Sequence, residues 1–142
     1  MLDVLLVEDD HDSAALVTRM LQSPPGRFRV YHVGTIKRAC ELLQGLTFSV
    51  MLLDLLLPDG DGRVLLAEAH RLVPRLPVIV TSTLDDENTV RGLFAAGADD
   101  FIGKGSIRTS LALQLHISNV IGRKTAFRET YEKAVGKPEG AE

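Results

Sequence analysis

At 142 residues, 45% hydrophobic and 25% charged, the chain has room for one domain with a real core and no room for two ordinary ones. Its formal net charge of −3, from 16 basic and 19 acidic residues, provides no basic footprint for nucleic acid and argues against direct DNA binding. No run of 18 apolar residues offers a membrane span, the short apolar start carries no basic leader, and the single Cys40 can form no internal disulfide, so a cytoplasmic protein is expected.

Residues 2–7 form an almost unbroken apolar run that stops at Glu8-Asp9-Asp10, the pattern of a strand buried on both faces whose end meets solvent. Asp12 is expected to cap a helix reaching about Gln22, with Ala15, Leu16 and Met20 turned inward, and Pro24-Pro25-Gly26 stops it. A β-rich stretch, 28–33, follows. Thr35 then caps a second helix with Ile36, Ala39, Cys40 and Leu43 at helical spacing, and 49–54 is a third-strand run ending in Asp54. Pro58-Asp59-Gly60-Asp61-Gly62 is turn-rich, 64–73 reads as helix, and Pro74 breaks it. After Pro77 the run 78–80 is a strand leading into Thr81-Ser82-Thr83. Asp86 starts a fourth helix with Val90, Leu93 and Phe94 on one face and Gly97 as its C-terminal cap, and 99–103 is a short fifth strand.

In the last segment Leu111, Leu113, Leu115 and Ile117 alternate like a strand, while Leu113, Ile117, Val120 and Ile121 fit a helix; length favours the helix. Phe127, Tyr131, Ala134 and Val135 carry the helical spacing past the body of the domain, and Lys137-Pro138-Glu139-Gly140 reads as a frayed tail. Five strand–helix units in alternation imply an α/β fold, a doubly wound parallel sheet with helices on both faces.

In such a sheet ligands bind beyond the carboxyl ends of the strands. Those ends carry Glu8 and Asp9, then Asp54, then Ser82, then Lys104. Carboxylates brought this close repel one another unless a cation neutralises them, and oxygen donors suit magnesium or manganese. Asp54 could then act as a nucleophile toward a phosphoryl group, with Lys104 and the Ser82 hydroxyl donating to its oxygens. Asp10, Asp12, Asp59 and Asp61 are better explained as caps and turn residues. His11, His32, His70 and His116 are scattered without ligand spacing and read as surface or partly buried side chains.

The runs Leu5-Leu6-Val7-Glu8-Asp9-Asp10, Asp54-Leu55-Leu56-Leu57-Pro58-Asp59-Gly60-Asp61-Gly62, Ser82, and Gly97-Ala98-Asp99-Asp100-Phe101-Ile102-Gly103-Lys104 keep the order and spacing of one family. Over residues 2–122 the sequence resembles the receiver domains of two-component response regulators. The resemblance implies a (βα)5 flavodoxin-like sheet in strand order 2-1-3-4-5. It implies Asp54 as phosphoacceptor, Asp9 and Asp54 as direct magnesium ligands, Glu8 through water, and the backbone carbonyl of Leu56 as a further ligand. It implies Lys104 and Ser82 as phosphoryl-binding groups, and Ser82 with Phe101 as the switch. A histidine kinase or phosphotransfer protein would be the donor, and the chain would be a signalling switch rather than an enzyme acting on an external substrate. Residues 123–142 would extend the last helix toward an output module, with pairing of two copies through the fourth and fifth helices; a free-standing receiver with a trailing helix is the other reading.

Two positions depart from the family. Gly105 follows the lysine where proline joined by a cis peptide is usual, so a trans bond and a differently shaped loop are expected. Thr83 stands after Ser82 where a small residue is usual. Two other functions compete: a receiver that only binds partners, and a magnesium-dependent aspartyl phosphatase similar to the haloacid dehalogenase family. The latter wants a second acid two residues after the nucleophile, and that residue is Leu56.

Overall fold

The computed structural model describes residues 1–136. Its strands are β1 (Leu2–Val7), β2 (Phe28–Val33), β3 (Val50–Asp54), the two-residue β4 (Leu56–Leu57) and β5 (Gly60–Asp61), β6 (Val78–Ser82) and β7 (Asp100–Gly103). β4 and β5 form a small antiparallel ribbon in the loop after β3. The other five make one parallel sheet in the order β2-β1-β3-β6-β7, which is 2-1-3-4-5 once the ribbon is set aside. Helices are α1 (His11–Leu21), α2 (Ile36–Gly45), α3 (Gly62–Leu72), α4 (Glu87–Ala95) and α5 (Ser110–Val135), with a 3-10 turn at Lys104–Ser106.

Side chains of successive strand residues point to opposite faces, and the central strands bury both. On β1, Leu5 and Val7 join Leu53, Val80, Leu43, Leu66 and Leu93 in one core, under α2, α3 and α4. Val4 and Leu6 join Leu52, Ile79, Leu21, Ile117 and Val120 in the other, under α1 and α5. The parallel register aligns the strand ends that carry the polar residues.

Each helix starts on a side-chain cap. Asp10, Thr35, Asp61, Asp86 and Thr109 accept the backbone N–H of Ser13, Arg38, Arg63, Thr89 and Ala112. The first of these corrects the expectation that Asp12 is the cap; Asp12 lies in the first turn, and Asp10 holds both the Ser13 N–H at 3.0 Å and its hydroxyl at 2.7 Å. Of the three residues expected to turn inward, Met20 is buried, but Ala15 and Leu16 face solvent, and Ala14 and Leu21 are buried in their place. On α4, Leu93 is buried but Phe94 is exposed, so the predicted apolar face is narrower than expected. Gly97 does end α4, at φ +105°, a conformation that glycine adopts without steric cost. β6 runs on through Ser82, past the predicted 78–80. The closing segment is one helix of 26 residues, as its length argued; the predicted frayed tail falls outside the described residues.

Gln114 of α5 is buried, and its Nε2 donates to the carbonyls of Met20 and Ser23, each at 3.0 Å. It thereby serves the end of α1, whose last carbonyls have no partners within the helix. Substituting Gln114→Ala leaves those carbonyls without donors. The variant is expected to lose about 2 kcal/mol of stability in urea titrations, and a loss below a few tenths would show that the bond contributes nothing net.

Candidate acidic site at the strand ends

Register brings the polar residues together. Val7 pairs with Leu53, so Glu8 and Asp9 emerge beside Asp54; Asp54 pairs with Thr81 and Ser82 with Gly103, one residue before Lys104. Glu8 is 4% exposed and Asp54 5%, whereas Asp9 faces solvent. One carboxylate oxygen from each of the three lies within 4.8 Å of the others. Lys104 reaches into this cluster, its Nζ 2.6 Å from Glu8 Oε1 and 3.4 Å from Asp54 Oδ2.

Burial pushes the Glu8 carboxyl above its ordinary value, and sharing a hydrogen bond with Asp54 adds to this, partly offset by Lys104. Burial also works against the Lys104 ammonium, but its hydrogen bond to Glu8 and the charges of Asp54 and Glu8 prevail and hold its pKa above the ordinary lysine value. In this arrangement the lysine is the counter-charge for two buried carboxylates.

The Ser82 hydroxyl oxygen accepts the Leu84 N–H at 3.0 Å, which leaves its proton to donate. Phe101 pairs with Val80 across the ladder and is half-buried against the α2–α4 core. The Leu56 N–H approaches Asp54 Oδ1 at 3.5 Å, so its main chain borders the cluster while its side chain is 61% exposed. The only cis peptide among the described residues is Ser23–Pro24, so Lys104–Gly105 is trans as expected, and the chain turns there as a 3-10 helix. Thr83 is exposed. Among the described residues no histidine joins a metal-binding group.

Two residues matter more than the sequence suggested. Asp59, read as a turn residue, accepts the N–H groups of Ile36 and Lys37 at 2.9 and 3.1 Å, tying the loop after Asp54 to the start of α2. Those two bonds hold its carboxyl below the usual aspartate value. A lowered folded pKa means that the tie contributes above the unfolded value of 3.8 and is lost as pH falls through the folded one. The melting-temperature gap between the wild type and Asp59→Asn is therefore expected to close as pH is lowered below 3.8; a gap that stays constant would mean the charge is not involved. The second residue is Gly62, whose Cα lies so close to the main chain of Asp54 that an added Cβ would sit 2.5 Å from the Asp54 carbonyl oxygen. The Asp-Gly pairs after Pro58 were the available signal for both, but they announce a turn and not what the turn touches.

A family model described as the response regulator receiver domain matches residues 4–116. Among curated proteins, the chain is 37% identical over 79 residues to a probable transcriptional regulatory protein, y4xI, of Sinorhizobium fredii, covering 56% of this chain and 35% of that protein. It is 30% identical over 113 residues to the cell cycle transcriptional regulator CtrA of Caulobacter vibrioides, covering 80% and 48%. The chain thus spans less than half the length of these relatives. The fold matches a solved receiver domain protein from Methanospirillum hungatei with a TM-score of 0.78 at 23% identity, over 89% of this chain and 98% of that one. With the sheet order, the acidic cluster and the lysine that enters it, the match establishes that this chain belongs to the response regulator receiver domain family.

Proposed function

We propose that the chain is a cytoplasmic, phosphorylation-dependent switch that accepts a phosphoryl group on Asp54 from a histidine kinase or phosphotransfer protein. The observation that carries this reading is Lys104 Nζ lying between Glu8 and Asp54 at the mouth of the sheet, with Asp9 completing the acidic cluster. Residues 1–122 are the receiver, and 123–142 extend it toward an output module of the kind its longer relatives have room for.

Three carboxylates with oxygen donors only, two buried and one open to water, fit a hard divalent cation. Glu8, Asp9, Asp54 and the Leu56 carbonyl would hold magnesium or manganese, which supplies positive charge to screen an incoming phosphoryl group. An Asp54 carboxylate oxygen forms the O–P bond as the N–P bond of the donor phosphohistidine breaks. Lys104 then exchanges Glu8 for a phosphoryl oxygen, and Ser82 donates its free proton to another. Because the Ser82 oxygen also holds the Leu84 N–H, its movement pulls on the β6–α4 loop. Phe101, on the neighbouring strand, repacks against the α4 side, and the change reaches the exposed Phe94, Leu111 and Leu115 of α4 and α5, where two copies would pair.

The test is incubation with magnesium and acetyl phosphate followed by intact mass. One added phosphoryl group, lost when the metal is chelated, is the expected result. No mass gain together with no beryllofluoride complex would favour a receiver that only binds partners.

A further inference from the structure

Leu56 is not anchored by its own side chain, which is 61% exposed and leaves the placing of its main chain to its neighbours. That task falls to the ribbon it opens, in which Leu56 pairs with Asp61 and Leu57 with Gly60 around a Pro58-Asp59 turn. Two strands of two residues each cannot hold a fixed shape alone. The ribbon is fastened at its base by the 2.8 Å bond from the Gly62 N–H to the Leu55 carbonyl, and along its side by Leu57, which packs on the core under α2 and α3. At its tip the fastening is Asp59. One carboxylate oxygen accepts the Ile36 N–H at 2.9 Å and the other the Lys37 N–H at 3.1 Å. Gly60 lies against α2 as well, where an added Cβ would meet Ile36 Cδ1 at 3.1 Å.

The α2 end of this link is equally specific. A helix leaves its first N–H groups without partners inside the helix. Thr35 serves the Arg38 N–H at 3.1 Å, and the two donors before it are met by Asp59 from another loop. One carboxylate therefore completes α2 and fixes the tip of the ribbon that carries the Leu56 carbonyl. We infer that Asp59 is the positioning residue for that carbonyl, and that binding of a divalent cation at the acidic cluster is thereby linked to the start of α2. The inference rests on the reading of Leu56 as a ligand given above. Asp59 is not among the clustered carboxylates, which are Glu8, Asp9 and Asp54, so its part is played through the ribbon. A cation that draws on the Leu56 carbonyl gains from a ribbon already held in place, because less ordering is left to be done on binding. Linkage is reciprocal: whatever the tie adds to cation affinity, the cation returns as resistance of the tie to opening.

Magnesium alone, titrated into the full chain and followed by amide NMR with no phosphodonor present, tests the link. Asp59→Ala should raise the magnesium dissociation constant about tenfold, the scale on which losing an outer partner of a metal ligand acts. Asp59→Asn keeps one acceptor oxygen and loses the charge, so it should recover part of that loss. In the wild type, saturating magnesium should slow hydrogen exchange of the Ile36 and Lys37 amides by about the same factor. The Thr89 amide, capped by Asp86 on α4 and outside the ribbon, should keep its rate. The exchange measurement needs no variant, so a poorly folding Asp59→Ala leaves the inference open to refutation. Equal magnesium affinity in the wild type and both variants would overturn it. So would an Asn variant as weak as the Ala variant, which would reduce Asp59 to a distant charge, or equal slowing at Ile36, Lys37 and Thr89, which would be general stabilisation by a bound ligand. In each of those cases magnesium still binds the wild type and the reading of the acidic site stands. Magnesium that fails to bind the wild type at all removes that reading, and this inference with it.

Discussion

Asp54→Asn is expected to fold normally and to gain no phosphoryl group under conditions in which the wild type gains one. The amide matches the carboxylate in shape, and its nitrogen has no lone pair free to attack phosphorus, so the loss is complete rather than partial. The same change removes one negative charge from a buried cluster in which Glu8 is already pushed toward its neutral form. In chelator the variant should therefore be at least as stable as the wild type. Magnesium separates the two further. Saturating the wild type a hundredfold above its dissociation constant adds about 2.7 kcal/mol, a gain the variant should largely lose with one of its three carboxylates. Intact mass and thermal melts with and without magnesium measure both effects. If the Asn variant were phosphorylated as fast as the wild type, the acceptor would be another carboxylate and the roles assigned around Asp54 would fall together.

Gly62→Ala should be the most damaging glycine-to-alanine change among the described residues. Its Cβ would meet the Asp54 carbonyl oxygen at 2.5 Å and the Leu55 Cα at 2.8 Å, and both are main-chain atoms with no rotamer to change. Either α3 lifts at its first turn, breaking the 2.8 Å bond from the Gly62 N–H to the Leu55 carbonyl, or β3 yields at Asp54. Overpacking typically costs about 1–3 kcal/mol, and a backbone opponent places this site near about 3 kcal/mol. Because Asp54 is the residue displaced, phosphorylation by acetyl phosphate should also slow by about a hundredfold, the scale of effect that misplacing a reacting atom by an ångström produces. Urea titration and the time course of mass gain test the two parts. A variant with wild-type stability and rate would show that the close approach relaxes without consequence.

The sheet was legible in the sequence because buried parallel strands leave a mark that needs no partner to interpret: short apolar runs, each ending in a polar residue and separated by helical spacing. The same mark located Glu8, Asp9, Asp54, Ser82 and Lys104, since residues at strand ends in such a sheet have only one edge to occupy. Helix faces were less legible. Asp10 and Asp12 are equally good caps on paper and only the end of β1 decides between them; on the face itself Met20 lies inward as expected, while Ala14 and Leu21, not Ala15 and Leu16, fill the core beside it, a choice set by packing on the sheet. Phe94 was assigned inward by spacing alone, although the core under α4 is filled by Leu93.

What the sequence determined by itself was the order of elements and the kinds of groups at the strand ends, because hydrophobic period and chain-local polarity are properties of adjacent residues. Tertiary structure alone decided that Lys104 pairs with Glu8 more closely than with Asp54, that Asp59 ties its loop to α2, that Gly62 lies against Asp54, and that Gln114 serves the end of α1. It also decided that the extension of α5 is held by Asp99 and Arg75 instead of trailing free. Each of these joins residues far apart in the chain, or depends on how closely two backbones approach, and such distances are set only once both cores have packed against the sheet.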